Sequence, residues 1–279
     1  MLLIHGLAGT PKEMDSVGMR LHKYGFTVSI PVLAGHCGDT ASLLASDRHD
    51  WEETVEKAYR ELAEQTDVVF AGGLSAGALL AVQLAHKHPE IRGLSLYSVT
   101  IKWDGWSIPR RGVLLAPLLH LPWFRKRYRL REAFPYGIKN ENLRDRIIMR
   151  LESGDTSAAG HTDTPGETLL EMLRIIAQAK KLMPQVKSPT LIVHAAEDDM
   201  VDVKNAYYVQ NRMGGQAELL VLNDSYHLVT IDQERQTVAK ETARHFWNQL
   251  TEAERTSLTQ KARKAFMISK VDAPTHLSS

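Results

Sequence analysis

The sequence predicts an α/β fold, with a mostly parallel sheet, helices on both faces and a helical cap insertion. Three observations carry this. Short apolar runs recur along the chain, helical patterns fill the gaps between them, and one Gly-x-Ser-x-Gly motif stands where a strand gives way to a helix. Strands covered on both faces read as short apolar runs, the arrangement that βαβ crossovers produce. Right-handed crossovers gather the loops after the strand carboxyl ends on one edge, where such sheets bind ligands.

The elements follow in order. Residues 1–4 open the chain as a strand, and a helix is expected around 16–23. A second strand is expected over 27–31, an amphipathic helix over 50–65 and a third strand over 67–71. An Ala/Leu-rich helix follows over 74–87, then strands over 91–97, 189–194 and 217–222. The alternation breaks over 101–183, which has helical patches at 142–150 and 167–181 but no convincing strand. Long insertions after a strand commonly cover substrate, so 101–183 is read as a cap over a core of 1–100 and 184–250. Residues 251–279 read as a polar helix through Phe266 and then a loose tail.

Composition removes several classes of function. The 279 residues carry 34 basic and 33 acidic side chains, a formal charge of +1, so no global electrostatic case exists for binding nucleic acid. One cysteine, Cys37, excludes an internal disulfide framework and a multi-cysteine zinc site. No signal peptide pattern and no run of 18 apolar residues is present, and a cytoplasmic location is expected. No Gly-x-x-x-x-Gly-Lys-[Ser/Thr] or strand-linked Gly-x-Gly-x-x-Gly supports a nucleotide site.

The chemistry concentrates on Gly73-Leu74-Ser75-Ala76-Gly77. A turn this tight needs small residues on both sides of the serine, and it leaves the hydroxyl exposed at the sheet edge beside a helix N-terminus. A neutral serine is a poor nucleophile and needs a base. Among 12 histidines, His227 is best placed, directly after the last strand. His194 falls inside a buried strand pattern and His5 starts a loop. His86 and His88 lie at the far end of a helix, and His36 and His161 are loop residues able to approach the site. The base needs an acceptor to fix its tautomer. Asp198 is favoured by register, with Asp199 and then Glu197 as alternatives. Two backbone donors are expected to hold an oxyanion: the amide of Ala76, and that of Leu7 in the loop His5-Gly6-Leu7-Ala8-Gly9-Thr10.

These residues resemble the α/β-hydrolase superfamily, and within it bacterial carboxylesterases and monoacylglycerol lipases with a small helical cap. The matching landmarks are residues 3–11, Gly35-His36-Cys37-Gly38, the Ser75 motif, 189–201 and 225–232. The resemblance spans about residues 1–250 and implies a nucleophile at Ser75, an acid at Asp198, a base at His227 and oxyanion amides at Leu7 and Ala76. The order Ser75, Asp198, His227 is that of the superfamily's triads. Cys37, Tyr226 and Ala195 stand where the family commonly has glycine, and Tyr226 is expected to narrow access near the base. Relative to the family, the leading N-terminal strands before the His-Gly loop are absent from this sequence.

The implied activity is that of a serine hydrolase cleaving carboxylic esters of short- to medium-chain acyl or monoacylglycerol-like type, with no metal and no cofactor. An acyltransferase or thioesterase of the same fold, or a non-catalytic ligand-binding member, remains open at this point. Small-molecule esters are the expected partner, and the oligomeric state is left open. Cap residues Leu114, Leu115, Leu118, Leu119, Trp123 and Phe124 suit an acyl chain; Trp106, Leu118, Trp123 and Tyr226 are the candidate substrate contacts. Residues 101–150 hold 12 Lys/Arg against four Asp/Glu, so peripheral contact with a membrane or an anionic lipid through this basic cap is a further expectation.

Overall fold

A computed structural model describes residues 1–108, 115–131, 133–152, 160–161 and 163–260. Among them, five strands form one parallel sheet: β1 (Leu2–Ile4), β2 (Ala71–Leu74), β3 (Leu94–Tyr97), β6 (Thr190–Ala195) and β7 (Ala217–Leu222), hydrogen-bonded in that order. Between them run α1 (Lys12–Lys23), α2 (Thr40–Leu44), α3 (Arg48–Ala63) and α4 (Ala76–Lys87). The segment between β3 and β6 holds α5 (Pro122–Arg127), β4 (Arg129–Arg131), α6 (Glu141–Glu152), β5 (Asp163–Pro165) and α7 (Gly166–Leu182). The chain continues with α8 (Lys204–Arg212) after β6 and α9 (Arg235–Asn248) after β7.

Side-chain parity divides the core in two. Leu2 and Ile4 of β1, Leu94 and Leu96 of β3 and Ile192 of β6 join the cluster under α3, α4 and α8. Leu3, Tyr97, Leu191 and Val193 point the other way, into the cluster shared with Met14 and Leu21 of α1 and Phe246 of α9. Successive side chains of a strand alternate faces, so continuous apolar runs are what a doubly covered sheet requires.

Three expectations change. The strand expected over 27–31 reduces to one bridge, Ser29 beside Leu2. Ser29 exchanges two backbone hydrogen bonds with Met1 and Leu3, but Pro31 brings no N–H with which to extend a ladder. The third strand lies at 71–74, not 67–71: Val69 and Phe70 are buried as their hydrophobicity implies, while the ladder runs through Gly72 and Gly73. The insertion does contain strands, the short antiparallel pair β4 and β5, whose charged three-residue runs carry no periodic signal.

The segment 101–183 also divides. Met172, Ile175, Ile176 and Ala179 of α7 belong to the same core cluster as α4, and Gln83 of α4 donates to the Ile175 carbonyl. Leu119, Leu169 and Leu170 form a small third cluster, against which Trp103, Phe124, Tyr128 and Leu130 pack. At the C-terminus helix runs over 252–260; the expected continuation to Phe266 and the tail lie outside the described residues, as does Leu114.

Candidate active site

The turn between β2 and α4 places Ser75. Its backbone stands at φ 55° and ψ −109°, a conformation non-glycine residues rarely hold. The flanking glycines are required sterically. A Cβ on Gly73 would lie 2.3 Å from the backbone of Gly77, and one on Gly77 would lie 2.3 Å from the Ile4 carbonyl oxygen. The whole turn is thus wedged against β1, and the serine hydroxyl faces a cavity rather than the core. Ser75 Oγ shares a 2.8 Å hydrogen bond with Thr100 Oγ1.

That cavity encloses about 80 Å³ and brings together Leu7, Ser75 and His227. His227 Nδ1 lies 2.9 and 3.1 Å from the two oxygens of Asp198. A carboxylate only accepts, so Nδ1 carries the proton and Nε2 is the basic nitrogen. Asp198 is itself held by the amides of Met200 and Val201 at 2.9 and 2.8 Å. Its neighbours do other things. Asp199 accepts from the backbone of His227 and of Gly137, and burial pushes its carboxyl above the ordinary range. Glu197 points outward and pairs with Lys139 at 2.8 Å.

The loop after β1 approaches from the other side. Gly6 N–H donates to Glu13 Oε2 at 2.8 Å and Gly9 N–H to the Gly6 carbonyl. Among the described residues the amides of Leu7 and Ala76 donate to no protein acceptor. His5 is fully buried behind the loop and accepts from the Leu33 amide; burial holds its pKa down to about 3. His194 is likewise buried, donates to the Val201 carbonyl at 2.9 Å and lies 3.4 Å from Asp198. His86 and His88 stand at the end of α4, away from this cavity, and His88 pairs with Glu56. His36 packs edge-on to His5 and Trp51, and His161 lines the cavity.

The cavity wall differs from the one expected. Trp103, Leu130, Ile147, Leu169 and Met172 supply its apolar side. Trp106, Leu118, Trp123 and Tyr226 are not part of it. Trp106 and Trp123 stand 61% exposed, because α5 buries none of its residues and Trp106 hangs from a loop by one bond to the Glu197 carbonyl. Tyr226 packs edge-on against Trp106, with Lys139 over its ring. Sequence reasoning overlooked Thr100 and Glu13. Neither carries a motif signal; Thr100 is placed by the loop after β3 and Glu13 by the first turn of α1. No group of three or more His, Cys, Asp or Glu side chains able to hold a metal occurs among the described residues.

Residues 1–234 match the family model described as serine aminopeptidase, S33. The chain is 28% identical over 247 residues to a thermostable monoacylglycerol lipase of Bacillus sp. (strain H-257), covering 88% of this chain and 89% of that one. It is 25% identical over 240 residues to a carboxylesterase of Bacillus subtilis (strain 168), covering 85% and 88%. A solved structure reported for the metagenome-derived lipolytic enzymes LipS and LipT superposes with a TM-score of 0.73 at 29% identity, covering 86% of this chain and 90% of that one. A family match over most of the chain, joined to this parallel sheet and this strained serine turn, establishes that the chain belongs to the serine aminopeptidase S33 family of α/β-hydrolases, as a hydrolase of the lipase and esterase type.

Proposed function

We propose that Ser75, His227 and Asp198 form a catalytic triad with which this hydrolase cleaves carboxylic esters of short- to medium-chain acids or of monoacylglycerol type. One observation carries the reading: a serine on a strained strand-to-helix turn shares a cavity with a histidine whose Nδ1 is bonded to a buried carboxylate. In this scheme Ser75 turns from Thr100 toward His227, gives up its proton and attacks the ester carbonyl. The unspent amides of Leu7 and Ala76 hold the oxyanion. His227 returns the proton to the leaving alcohol, and water repeats the sequence on the acyl-enzyme. The chemistry calls for no metal or cofactor. The apolar wall favours the acyl chain, and the relatives' names support an ester over other acyl donors.

The test compares wild type and Ser75→Ala on p-nitrophenyl butyrate, an amino-acid p-nitroanilide and a fluorophosphonate probe. Ester turnover and covalent labelling are expected in the wild type and absent from Ser75→Ala. Turnover retained in Ser75→Ala would end the triad assignment, and faster cleavage of the anilide would move the activity toward the family's aminopeptidase description. The outer cap face with Trp123, Arg125, Lys126 and Arg127 is assigned to an anionic membrane surface, on charge complementarity and aromatic exposure. No helix among the described residues is long and apolar enough to cross a membrane, and a cytoplasmic location is proposed.

A further inference from the structure

A second cavity, of about 350 Å³, opens beside the catalytic one, between α1, α6 and the chain that follows His227. Glu13, Ile147 and Leu228 line both, so the two cavities share a wall. Four cations face the second cavity, Lys12, Arg146, Arg150 and Arg235, against two carboxylates, Glu13 and Asp15. The cations come from three elements: Lys12 opens α1, Arg146 and Arg150 lie on α6, and Arg235 opens α9. Arg146 and Arg235 each spend one N–H on a backbone carbonyl, of Asn142 at 3.0 Å and Asp232 at 2.9 Å. Among the described residues no carboxylate lies within ion-pair reach of Lys12, Arg146 or Arg235, although Asp15 lines the same space. Cations converging from three elements on a concave surface, with Lys12, Arg146 and Arg235 out of ion-pair reach of any described carboxylate, focus a positive potential, and arginine forks suit the planar or tetrahedral oxygens of an anion.

The position of this cavity relative to the chemistry says which half of a substrate reaches it. Leu228 follows His227 directly and lines both cavities. In acyl transfer the base returns its proton to the leaving alcohol, so the alcohol half of the ester lies on the histidine side. We propose that the second cavity binds a phosphate or carboxylate carried by the alcohol half, making acyl esters of anionic alcohols the preferred substrates. The anion is recognised and not cleaved. The acyl C–O bond breaks, the oxygen of water joins the acyl carbon, and the proton passes through His227 to the alcohol, which leaves with its charged group intact. This inference rests on the triad reading and narrows it to a substrate class.

The experiment measures kcat/KM for octanoylglycerol, octanoylglycerol phosphate and the octanoyl ester of glyceric acid. Each is run with wild type, Arg146→Gln, Arg146→Glu, Arg235→Gln and the Ser75→Ala control. The wild type is expected to prefer at least one charged ester, with a KM that rises with salt. The arm that wins tells phosphate from carboxylate. The ratio of charged to neutral kcat/KM should fall about fivefold in each glutamine variant, and further in Arg146→Glu. Calorimetry on Ser75→Ala adds a readout without turnover, in which glycerol phosphate or glycerate binds and glycerol does not. Equal kcat/KM for all three esters, or ratios unmoved in every arginine variant of unchanged melting temperature, would overturn the anion site while leaving the esterase reading intact. Turnover of the neutral ester by Ser75→Ala would instead remove the triad reading beneath it.

Discussion

Glu13 sits where the chemistry is most sensitive to a stray charge. It accepts the Gly6 amide of the loop after β1, lines the same cavity as Ser75 and His227, and burial raises its pKa to about 7. The titratable groups that act on it or that it acts on are His227 from the loop after β7 and Cys37, whose thiol it helps to push up. A carboxyl whose folded pKa lies above its unfolded value of about 4.5 binds extra protons when folded. Its contribution is complete below about 4.5 and is lost as pH rises through about 7. His5 and His36, held down to about 3 and about 4, act oppositely: their contribution is present above 6.5 and lost as pH falls. Glu13→Gln removes only the first effect, so wild type should lose melting temperature relative to this variant between pH 5 and pH 8. Parallel curves would refute it. The second prediction at this scale concerns the acid of the proposed triad. Asp198→Asn leaves an amide that can present its N–H₂ to Nδ1 and so favours the wrong tautomer; kcat on p-nitrophenyl butyrate should fall about a thousandfold or more, with little change in KM. Of the three adjacent acids, Asp198 is the one whose carboxylate bonds His227 Nδ1, from the turn that follows β6. What register does not carry is the amide environment of each carboxylate, which is why the work of Asp199 and Glu13 stayed out of view.

Elements were legible in proportion to how much their burial depends on pattern. β7 spans the residues its apolar run marks, and α3, α4 and α7 begin and end within two residues of expectation. β2 was displaced because glycines carry no hydrophobic signal, although the Gly72 and Gly73 backbones sit in the middle of the sheet. α5 shows the opposite failure. Trp123 and Phe124 were expected against an acyl chain, but only Phe124 packs inward, beside Leu119, Leu169 and Leu170, while Trp123 stays exposed on a six-residue helix closing on Arg125, Lys126 and Arg127. Under the membrane contact proposed above, the exposed aromatic and basic residues of this helix would act as an interfacial anchor, each cation contributing about 1 kcal/mol near an anionic bilayer. Lys126→Gln should therefore weaken cosedimentation with phosphatidylglycerol vesicles about fivefold, and Trp123→Ala should weaken it at constant charge. Binding to neutral phosphatidylcholine vesicles that equals binding to anionic ones would count against the anchor.

At the scale of the molecule, the insertion between β3 and β6 and the loop that carries His227 are tied together by hydrogen bonds. Asp232, fully buried just after the histidine loop, accepts the amides of Lys139 and Asn140 from the cap and of Tyr226 beside His227, at 2.8, 2.9 and 2.9 Å. Asp199 makes the same kind of link between Gly137 and His227, and the Leu228 amide donates back to the Gly137 carbonyl at 2.8 Å. On the far side the His161 amide donates to the Ala8 carbonyl of the loop after β1. The cap thus grips both loops that frame Ser75. None of this was visible in the sequence, where the insertion showed only as a break in alternation, because every link is a backbone amide meeting a lone carboxylate or carbonyl. Loss of the Asp232 carboxylate leaves three donors without their partner, at about 1–3 kcal/mol for each one that stays dry. Asp232→Ala should cost about 3–5 kcal/mol and lower the melting temperature by about 6–20 °C. It should also reduce kcat on a short neutral ester at temperatures where the variant is still folded, since the His227 loop shares that carboxylate. A variant that loses stability but keeps full kcat would show that the cap rests on the catalytic loop without positioning it.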